Sequence, residues 1–317
     1  MVDFKLSKLY GINNKKYLSE LLKVELSKLK DIETHFSTTP FYQKNQKGKR
    51  RRLYNPHPDY KKVLQRLNIH LSRIVAPDYV LGGIKKRSYV MNANLHKEND
   101  YFLLLDLKDF FPSTRDNHVY YFFRNKLKMS QDIAKICTLL TTEPSEDRTF
   151  RHLPQGYSTS PYLSFLSYFD MYNGIKNISD NQNIIFSCYY DDLTFSSKKR
   201  ISFKFKETIS NIVADYHLTI NKDKTRFYTK KRKVIKITGA IINKGQLLKA
   251  PNSLQKKMYI YFKELTQKTQ QRPVEKEHII KLCNKVIGCL TAIQHIEPKR
   301  EFPHIRKKVK EIRKALR

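Results

Sequence analysis

The sequence predicts an α+β fold. Tyr101–Leu107 is a continuous apolar run broken by one acid, as in a strand that is buried on both faces. Two further strand-like runs, residues 184–190 and 193–196, flank the adjacent acids Asp191 and Asp192, which predicts a hairpin with these acids at its tip. Apolar residues elsewhere recur at helical spacing, so helices accompany the strands.

The first hundred residues are predicted to form helices around a basic hairpin. Residues 1–35 and 59–76 carry apolar positions at helical spacing. Between them lies the basic run 44–52, in which Gly48 marks a turn and after which Pro56 marks a stop. This segment is expected to display cations on a hairpin.

The rest of the chain alternates helices and strands. Residues 117–140 predict one helix, and Ser160-Pro161 opens another, with proline in its first turn. A helix is expected at about 203–217, followed by two strands that end at residues 242–245.

The character of the sequence changes after Gly245. Residues 246–317 hold 18 Lys+Arg against 6 Asp+Glu, a net charge of +12, and their apolar positions keep a helical period. We therefore predict a domain boundary near residue 246, with a small basic helical domain after it.

The overall charge points to a nucleic-acid partner. The 317 residues contain 62 Lys+Arg and 29 Asp+Glu, a net charge of +33, and 40% hydrophobic residues. Such an excess repels itself unless a polyanion neutralises it, and nucleic acid is the most effective one. A membrane surface is the rival partner, but no run of about 20 apolar residues is evident and the N-terminal residues lack a signal layout. We therefore expect no membrane association.

The cysteines indicate a reducing compartment. The chain has four cysteines, Cys137, Cys188, Cys283 and Cys289. They lack the C-x-x-C spacing of a zinc site, and they are too few for disulfide bonds to stabilise a chain of this length. We expect reduced thiols, no structural zinc and a cytoplasmic protein.

The acids carry the functional prediction. Asp191 and Asp192 at a hairpin tip repel each other when desolvated, and hard divalent cations relieve that repulsion. A lone acid pair is a weak signal, since it is also found in ordinary turns. Asp106 strengthens it, because an unpaired carboxylate in a buried strand costs several kcal/mol. If the strand of Asp106 lies beside the hairpin, the acids converge and two metal ions would bridge a phosphate.

Four strings resemble, in order and spacing, the motifs of reverse transcriptases: Asp106-Leu-Lys-Asp-Phe-Phe-Pro-Ser, Leu153-Pro-Gln-Gly with Ser158-Thr-Ser-Pro, Tyr189-Tyr-Asp-Asp, and Asn221-Lys-Asp-Lys-Thr. The resemblance implies a right-hand polymerase fold with fingers, a palm with an antiparallel sheet, and a helical thumb. It assigns residues 1–100 to N-terminal helices and fingers, 101–245 to the palm with part of the fingers, and 246–317 to the thumb.

The resemblance also implies roles for single residues. Asp106, Asp191 and Asp192 would be catalytic and would hold two Mg²⁺ ions. Lys224 would protonate the departing pyrophosphate, unless it is an ordinary surface lysine. Phe111 would be a steric gate against the ribose 2′-OH, unless it is a plain core residue.

Further residues would bind the dNTP substrate. The resemblance implies that Gln155 and Gly156 line the incoming nucleotide. Arg51, with Lys49 as a helper, would clamp the triphosphate. Their basic neighbours leave open that this run is generic RNA-facing charge.

Two more strings resemble motifs of retron reverse transcriptases. Asn92-Ala-Asn-Leu-His96 matches an N-A-x-x-H pattern, and Ile237-Thr238-Gly239 is one conservative step from V-T-G. In that family these residues belong to the face that binds the retron RNA, so Asn92, His96, Thr238 and Gly239 are expected to serve RNA binding. His96 has an alternative interpretation as a capping or core histidine. Tyr190 departs from the Ala that many retron enzymes have there, which leaves fidelity and initiation open.

The function implied is an RNA-directed DNA polymerase of a retron. Such an enzyme copies part of a structured non-coding RNA of the msr-msd type into branched, RNA-linked single-stranded DNA (msDNA), and it commonly acts with an accessory effector protein in antiphage defence. One alternative is another bacterial defence reverse transcriptase with a different RNA. A second, from another class, is a catalytically silent RNA-binding subunit. The oligomeric state is left open.

Overall fold

The computed structural model describes residues 2–44, 48, 50–230, 234–243, 247–270 and 275–316. These residues form two compact units. The first unit comprises residues 1–88 and 101–227, and the second comprises residues 89–100 and 228–317.

The N-terminal part of the first unit has helices on either side of a β-hairpin. Its elements are α1 (Lys15–Leu22), α2 (Leu26–Lys30), α3 (Ile32–His35), β1 (Thr38–Lys44), β2 (Arg50–Pro56) and α4 (Pro58–Leu71). β1 and β2 pair antiparallel from Thr38 opposite Pro56 to Lys44 opposite Arg50. Gly48, with φ +77°, lies in the connection, which confirms the predicted hairpin.

One helix, α5 (Tyr89–His96), belongs to the second unit and interrupts the first. The chain then returns to the first unit with β3 (Tyr101–Asp106), α6 (Phe110–Ser113), α7 (Asp116–Tyr121), α8 (Gln131–Thr141), β4 (Glu143–Pro144), β5 (Arg151–His152), α9 (Ser160–Ser167), α10 (Phe169–Asn181), β6 (Ile185–Tyr189), β7 (Asp192–Ser197) and α11 (Phe203–Asp215). The division between the two units falls within β8 (Arg226–Thr229).

The main sheet has the strand order β6-β7-β3-β8. β7 pairs antiparallel with both β6 and β3. On β3, Phe102, Leu103 and Leu105 are buried, as the apolar run predicts for a central strand. Helices α9, α10 and α11 contribute further buried apolar residues to the same core.

The second unit joins α5 to the C-terminal part of the chain. Its further elements are β9 (Ile235–Ile237), β10 (Ala240–Ile242), β11 (Leu248–Lys249), α12 (Asn252–Gln270), α13 (Lys276–Ile296) and α14 (Pro303–Ala315). The strands form a sheet in the order β11-β10-β9. α5 packs against β9 and β10, and α13 packs against α12 and α14.

Helix α13 differs from the expectation that no apolar run approaches a membrane span. In the part of the chain that the structure describes, this helix is long and apolar enough to cross a bilayer by length and composition. Eight of its residues are buried inside the second unit, among them Leu282, Val286 and Leu290. A core helix of a folded unit passes the same test, so the length and composition of α13 are weak support for a span.

Some predicted boundaries also differ. The predicted helix 117–140 is divided into α7, a π-helical turn at Phe122–Lys126 and α8, because Lys128 takes a left-handed conformation with φ 54°. The predicted domains 1–100, 101–245 and 246–317 do not coincide with the two units, whose boundaries fall after residues 88, 100 and 227. One reason is that α5 packs against β9 and β10. Residues 244–246 lie outside the described residues.

Candidate active site

Three acids lie near one another in the backbone at one end of the main sheet. β3 ends at Asp106, which stands opposite Asp192 in the antiparallel register with β7. The backbone N–H of Leu107 donates a hydrogen bond to the carbonyl oxygen of Asp191 at 2.8 Å. The tip between β6 and β7 is tight, with Tyr190 at φ 56°. The strand of Asp106 therefore lies directly beside the hairpin that carries Asp191 and Asp192.

Burial and like charge perturb the two hairpin acids. Burial raises the pKa of Asp191, and the negative charge of Asp106 raises it further. Burial, followed by the charges of Asp191 and Asp106, raises the pKa of Asp192 to about 7. The tip thus holds carboxylates whose ionised forms need a compensating cation.

Lys224 supplies one positive charge to this cluster. Its Nζ donates a hydrogen bond to Oδ2 of Asp106 at 2.6 Å, and the Asp106 side chain is only 8% exposed. Partial burial opposes the charged form of Lys224, but the hydrogen bond and charge of Asp106 outweigh it and raise the pKa of the amine. Lys224 is therefore protonated and aimed at the acids.

Asn221 completes the surroundings of Asp106, a role that the sequence did not suggest. Its Nδ2 donates to Asp106 Oδ1 at 3.3 Å, and its backbone N–H donates to the Asp106 carbonyl at 2.8 Å. Its side-chain oxygen also accepts from the Asp223 N–H, which caps the short 3-10 helix Lys222–Lys224. The sequence offered one signal for this role of Asn221: it is the first residue of the Asn221–Thr225 motif.

The acids suit a hard divalent cation by the chemistry of their donors. Carboxylate oxygens are the ligands that Mg²⁺ prefers, and a cation would relieve the repulsion that raises the pKa of Asp191 and Asp192. In the described parts of the chain, no group of three or more His, Cys, Asp or Glu side chains surrounds one point. Mg²⁺ is commonly bound through one or two carboxylates together with substrate phosphates and water, and these acids fit that mode.

A cavity of about 1260 Å³ opens next to the acids, entirely within the first unit. Six predicted site residues line it: Arg51, Asp106, Phe111, Gln155, Asp191 and Lys224. Asp192 and Gly156, both described, are not part of this lining. The cavity combines cations that attract phosphates, acids that suit a divalent metal ion, and an aromatic ring that suits a sugar or base.

The β1–β2 hairpin brings arginines to the cavity, and their environments differ. Arg50 stacks over the Tyr42 ring at 4.6 Å, and Arg52 stacks over Tyr54 at 5.1 Å. Arg52 also forms an ion pair with Glu146 at 3.3 Å. The charge of Arg51, in contrast, lowers the pKa of Asp191, so this guanidinium acts on the acidic cluster. Lys49 lies outside the described residues.

Phe111 and Tyr190 form an aromatic wall of the cavity. Their ring centroids are 6.4 Å apart, and both residues line the space beside Asp106 and Asp191. Phe111 is only partly buried, whereas its neighbour Phe110 is 3% exposed and belongs to the core. The position of Phe111 therefore suits contact with a bound sugar.

Gln155 and Gly156 join the hairpin to the site. The Tyr54 backbone N–H donates to the Gln155 carbonyl at 2.8 Å. Gly156 has φ +119°, and a Cβ there would collide with the carbonyl oxygen of Tyr54. Gly156 thus allows close packing against β2, while Gln155 lines the cavity.

The four predicted RNA-binding residues lie together in the second unit. Asn92 Nδ2 donates to Thr238 Oγ1 at 3.3 Å, and Thr238 Oγ1 donates to the Tyr89 carbonyl at 3.0 Å. Gly239, next to Thr238, has φ +106°. Asn92 and His96 are both 0% exposed, which makes His96 a core histidine and puts both side chains out of reach of an RNA. The role of these residues in RNA binding stays a prediction. Asn92 and His96 would serve it indirectly, by supporting the residues around them that are exposed.

Comparisons with known proteins identify the family of this sequence. The family described as reverse transcriptase (RNA-dependent DNA polymerase) matches residues 42–242. Retron Se72 reverse transcriptase of Salmonella heidelberg (strain 579083-10) is 28% identical over 216 residues, which are 66% of this chain and 55% of the relative. Retron Ec86 reverse transcriptase of Escherichia coli is 28% identical over 215 residues, which are 65% of this chain and 62% of the relative.

Among solved structures, apo telomerase of Candida tropicalis, truncated from its C-terminal domain, matches with a TM-score of 0.48 and 13% identity over 68% of this chain and 55% of that chain. The chain matches somewhat more than half of the length of its curated relatives.

The match over residues 42–242 covers all four motifs of the polymerase resemblance, which confirms that resemblance and the predicted α+β polymerase fold class. The predicted resemblance to retron enzymes is confirmed by the curated relatives. Reverse transcriptases as a family use divalent metal ions and dNTPs. This chain belongs to the reverse transcriptase family, and its curated relatives include retron reverse transcriptases.

Proposed function

We propose that the protein is the RNA-directed DNA polymerase of a retron. One observation carries the proposal: Asp106 and Asp192 stand opposite each other on β3 and β7, with Asp191 beside them at the edge of a cavity large enough to admit a nucleotide. A protein that only holds RNA gains nothing from acids that face a polyanion, because each such acid weakens the attraction.

The reaction is nucleotidyl transfer. A hydroxyl oxygen of the primer attacks the α-phosphorus of a dNTP, a new P–O bond forms, and the bond from the α-phosphorus to the bridging oxygen of pyrophosphate breaks. The hydroxyl proton of the primer passes to water, the departing pyrophosphate gains a proton from Lys224, and the neutral Lys224 amine then regains a proton from water. Lys224 holds a proton at Nζ beside Asp106, where it serves as the general acid for the leaving group.

The remaining side chains orient the nucleotide. Arg51 binds the triphosphate, since a guanidinium donates two parallel hydrogen bonds to phosphate oxygens. Gln155, in the connection between β5 and α9, contacts the incoming nucleotide. The Phe111 ring occupies the space that a ribose 2′-OH would need, so deoxynucleotides are preferred.

Asp106, Asp191 and Asp192 are the candidate ligands for two Mg²⁺ ions. When bound, these ions stabilise negative charge on the attacking and leaving oxygens. The acids supply the hard oxygen donors, and the pKa of Asp192, raised to about 7, means that metal binding would displace a proton from this group near neutral pH.

The template and product are proposed by analogy with the curated relatives. These relatives are named as retron reverse transcriptases, and the net charge of +33 suits a structured RNA partner. We therefore propose a non-coding RNA of the msr-msd type as template, branched RNA-linked DNA as product, and an antiphage role together with an effector protein. Four free, buried cysteines suit a cytoplasmic location.

Primer extension with the co-purifying RNA tests the polymerase. The purified protein is incubated with that RNA, labelled dNTPs and Mg²⁺, and the DNA product is sequenced along with its template. Labelled DNA from the wild type and none from Asp191→Ala/Asp192→Ala supports the proposal. An RNA that is held tightly but never copied supports the RNA-binding subunit instead. Product that resists RNase but lacks a branch point favours another defence reverse transcriptase.

A further inference from the structure

Residues 76–83 form a backing for the hairpin that carries Asp191 and Asp192. Val80 makes an isolated parallel bridge with Cys188 on β6, the strand at one end of the main sheet. The Cys188 N–H donates to the Tyr79 carbonyl at 2.8 Å, and the Leu81 N–H donates to the Cys188 carbonyl at 2.8 Å. This segment, which we name the backing segment, thus extends the sheet by one short parallel neighbour just before the acidic tip.

Two glycines bring the backing segment against the tip itself. A Cβ at Gly82 would stand 2.5 Å from the backbone nitrogen of Tyr190, so any side chain would push the two backbones apart. Gly83 has φ +74°, and a Cβ there would stand 3.0 Å from a ring carbon of Tyr190, so the segment also lies against the Tyr190 side chain. The conformation of Tyr190, which precedes Asp191, is therefore fixed from two sides by the backing segment.

Arg87 holds the backing segment in shape. Its guanidinium donates hydrogen bonds to the carbonyl oxygens of Ala76 at 2.8 Å and Val80 at 2.6 Å, and to that of Pro77. The Arg87 side chain is only 16% exposed, whereas the carboxylate of Asp78 beside it is fully exposed. A planar fork with fixed donors can join several carbonyls that a lysine ammonium cannot reach together.

We propose that Arg87 is a positioning residue for the acidic tip. It touches neither substrate nor metal ligand, and it acts through the backing segment, which sets the place of Tyr190 and hence of Asp191. Because a displacement of about 1 Å at reacting groups can cost roughly 100-fold in rate, a small relaxation of this segment is expected to lower turnover. The expected fall in turnover rests on the proposed polymerase function. The expected loosening of the acidic tip rests on the contacts alone.

The test compares Arg87→Lys and Gly82→Ala with the wild type. Arg66→Lys is the matched control, because the Arg66 guanidinium also donates to two backbone carbonyls, those of Leu22 and Lys23, away from the cavity. Amide hydrogen exchange is followed in the peptide 184–192 and, as internal reference, in helix α11. In both test variants, exchange in 184–192 is expected to rise roughly tenfold or more, with α11 unchanged.

Kinetics supply the second measurement. In primer extension, kcat is expected to fall roughly 10- to 100-fold in Arg87→Lys, with the KM for dNTP within about twofold of the wild type. The Arg66→Lys variant should keep both values. If the exchange of 184–192 is unchanged in Arg87→Lys, the positioning role is refuted whatever the activity. An inactive wild type refutes the polymerase proposal, and the exchange result still decides whether Arg87 and Gly82 hold the tip. If peptide 184–192 and helix α11 both lose protection from hydrogen exchange in Arg87→Lys, Arg87 serves overall stability and the inference fails.

Discussion

Lys224 donates a hydrogen bond from its Nζ to Oδ2 of Asp106 at 2.6 Å, although the two residues are 118 positions apart in the chain. The hydrogen bond joins the last of the four polymerase motifs to the first. It also gives the buried acid a short, charge-assisted partner whose own side chain is 55% exposed and thus open to the cavity. An amine that is bound to an acid and open to substrate is suited to move a proton.

Replacing Lys224 with Ala tests this role. General-acid catalysis contributes typically 10²- to 10⁴-fold, so kcat for nucleotide addition should fall by about 100-fold or more. The measurement is single-turnover extension at saturating dNTP. Lys204→Ala, on exposed α11 surface, is the control and should retain wild-type rates. Equal rates in Lys224→Ala and the wild type would leave Lys224 as a charge partner of Asp106 with no part in proton transfer.

Replacing Phe111 with Ala should weaken the selection against ribonucleotides. The cavity would gain the room that the 2′-OH needs, and the ratio of kcat/KM for dNTP over rNTP is expected to fall roughly 10- to 100-fold. Phe203, an exposed phenylalanine in the same unit, provides the control variant Phe203→Ala. Unchanged discrimination in Phe111→Ala would remove this ring from the gate and make it a packing residue.

His96 should make the protein sensitive to acid. Burial lowers the pKa of His96 from 6.5 to about 3, so the folded protein keeps this side chain neutral while the unfolded chain takes up a proton below pH 6.5. The folded pKa is depressed, so stability is lost as the pH falls from 6.5 towards 3, by up to about 1.4 kcal/mol per pH unit.

Chemical denaturation between about pH 7.5 and 5.5 measures this loss. The variant His96→Gln should be less stable at neutral pH but should show a flatter dependence on pH. His304→Gln, at an exposed position of α14, is the control and should keep the wild-type slope. A wild-type slope in His96→Gln would mean that another group accounts for the sensitivity to acid.

The lysines of α14 should contribute to RNA affinity. Ile305, Val309 and Ile312 bury one face of this helix, whereas Lys307, Lys308 and Lys310 are exposed. Replacing these three lysines with Gln is expected to weaken binding of the cognate RNA. The slope of log K against log salt should fall by about 1 for each phosphate that is no longer neutralised.

Filter binding at several salt concentrations provides this slope. The control replaces Lys5, Lys8 and Lys16, three exposed lysines of the first unit, and removes the same charge. If both triple variants show the same loss of affinity and the same slope, the net charge matters and α14 has no special role.

The acidic site could be predicted from the sequence because its acids occur within or directly after apolar, strand-like runs, where charged residues are unusual. Asp106 interrupts an apolar strand, and Asp191 and Asp192 end another. Since a buried carboxylate is expensive, its presence signals a compensating partner, and the structure provides one in Lys224. The hairpin of Arg51 could be predicted from a different signal, the turn residue Gly48 within a basic run.

Long-range packing could not be predicted in the same way. Nothing in the sequence indicates that α5 leaves the first unit, because its apolar residues would suit either core. The break at Lys128 was missed since lysine carries no signal for a left-handed conformation. The role of Gly82 depends on the backbone of Tyr190, which is distant in the sequence. The role of Arg87 depends on carbonyl oxygens of an irregular segment. Neither kind of contact leaves a periodic pattern in the sequence.

The placement of α5 has a consequence for how the protein is made. Asn92 leaves the ribosome 146 residues before Thr238, the partner to which it donates a hydrogen bond. During synthesis this helix has to wait, with Ala93 and His96 still exposed to water, until the strands that cover it have been translated. A contiguous C-terminal fragment would also lack this helix, so the second unit should be produced on its own only if α5 is grafted back onto the fragment.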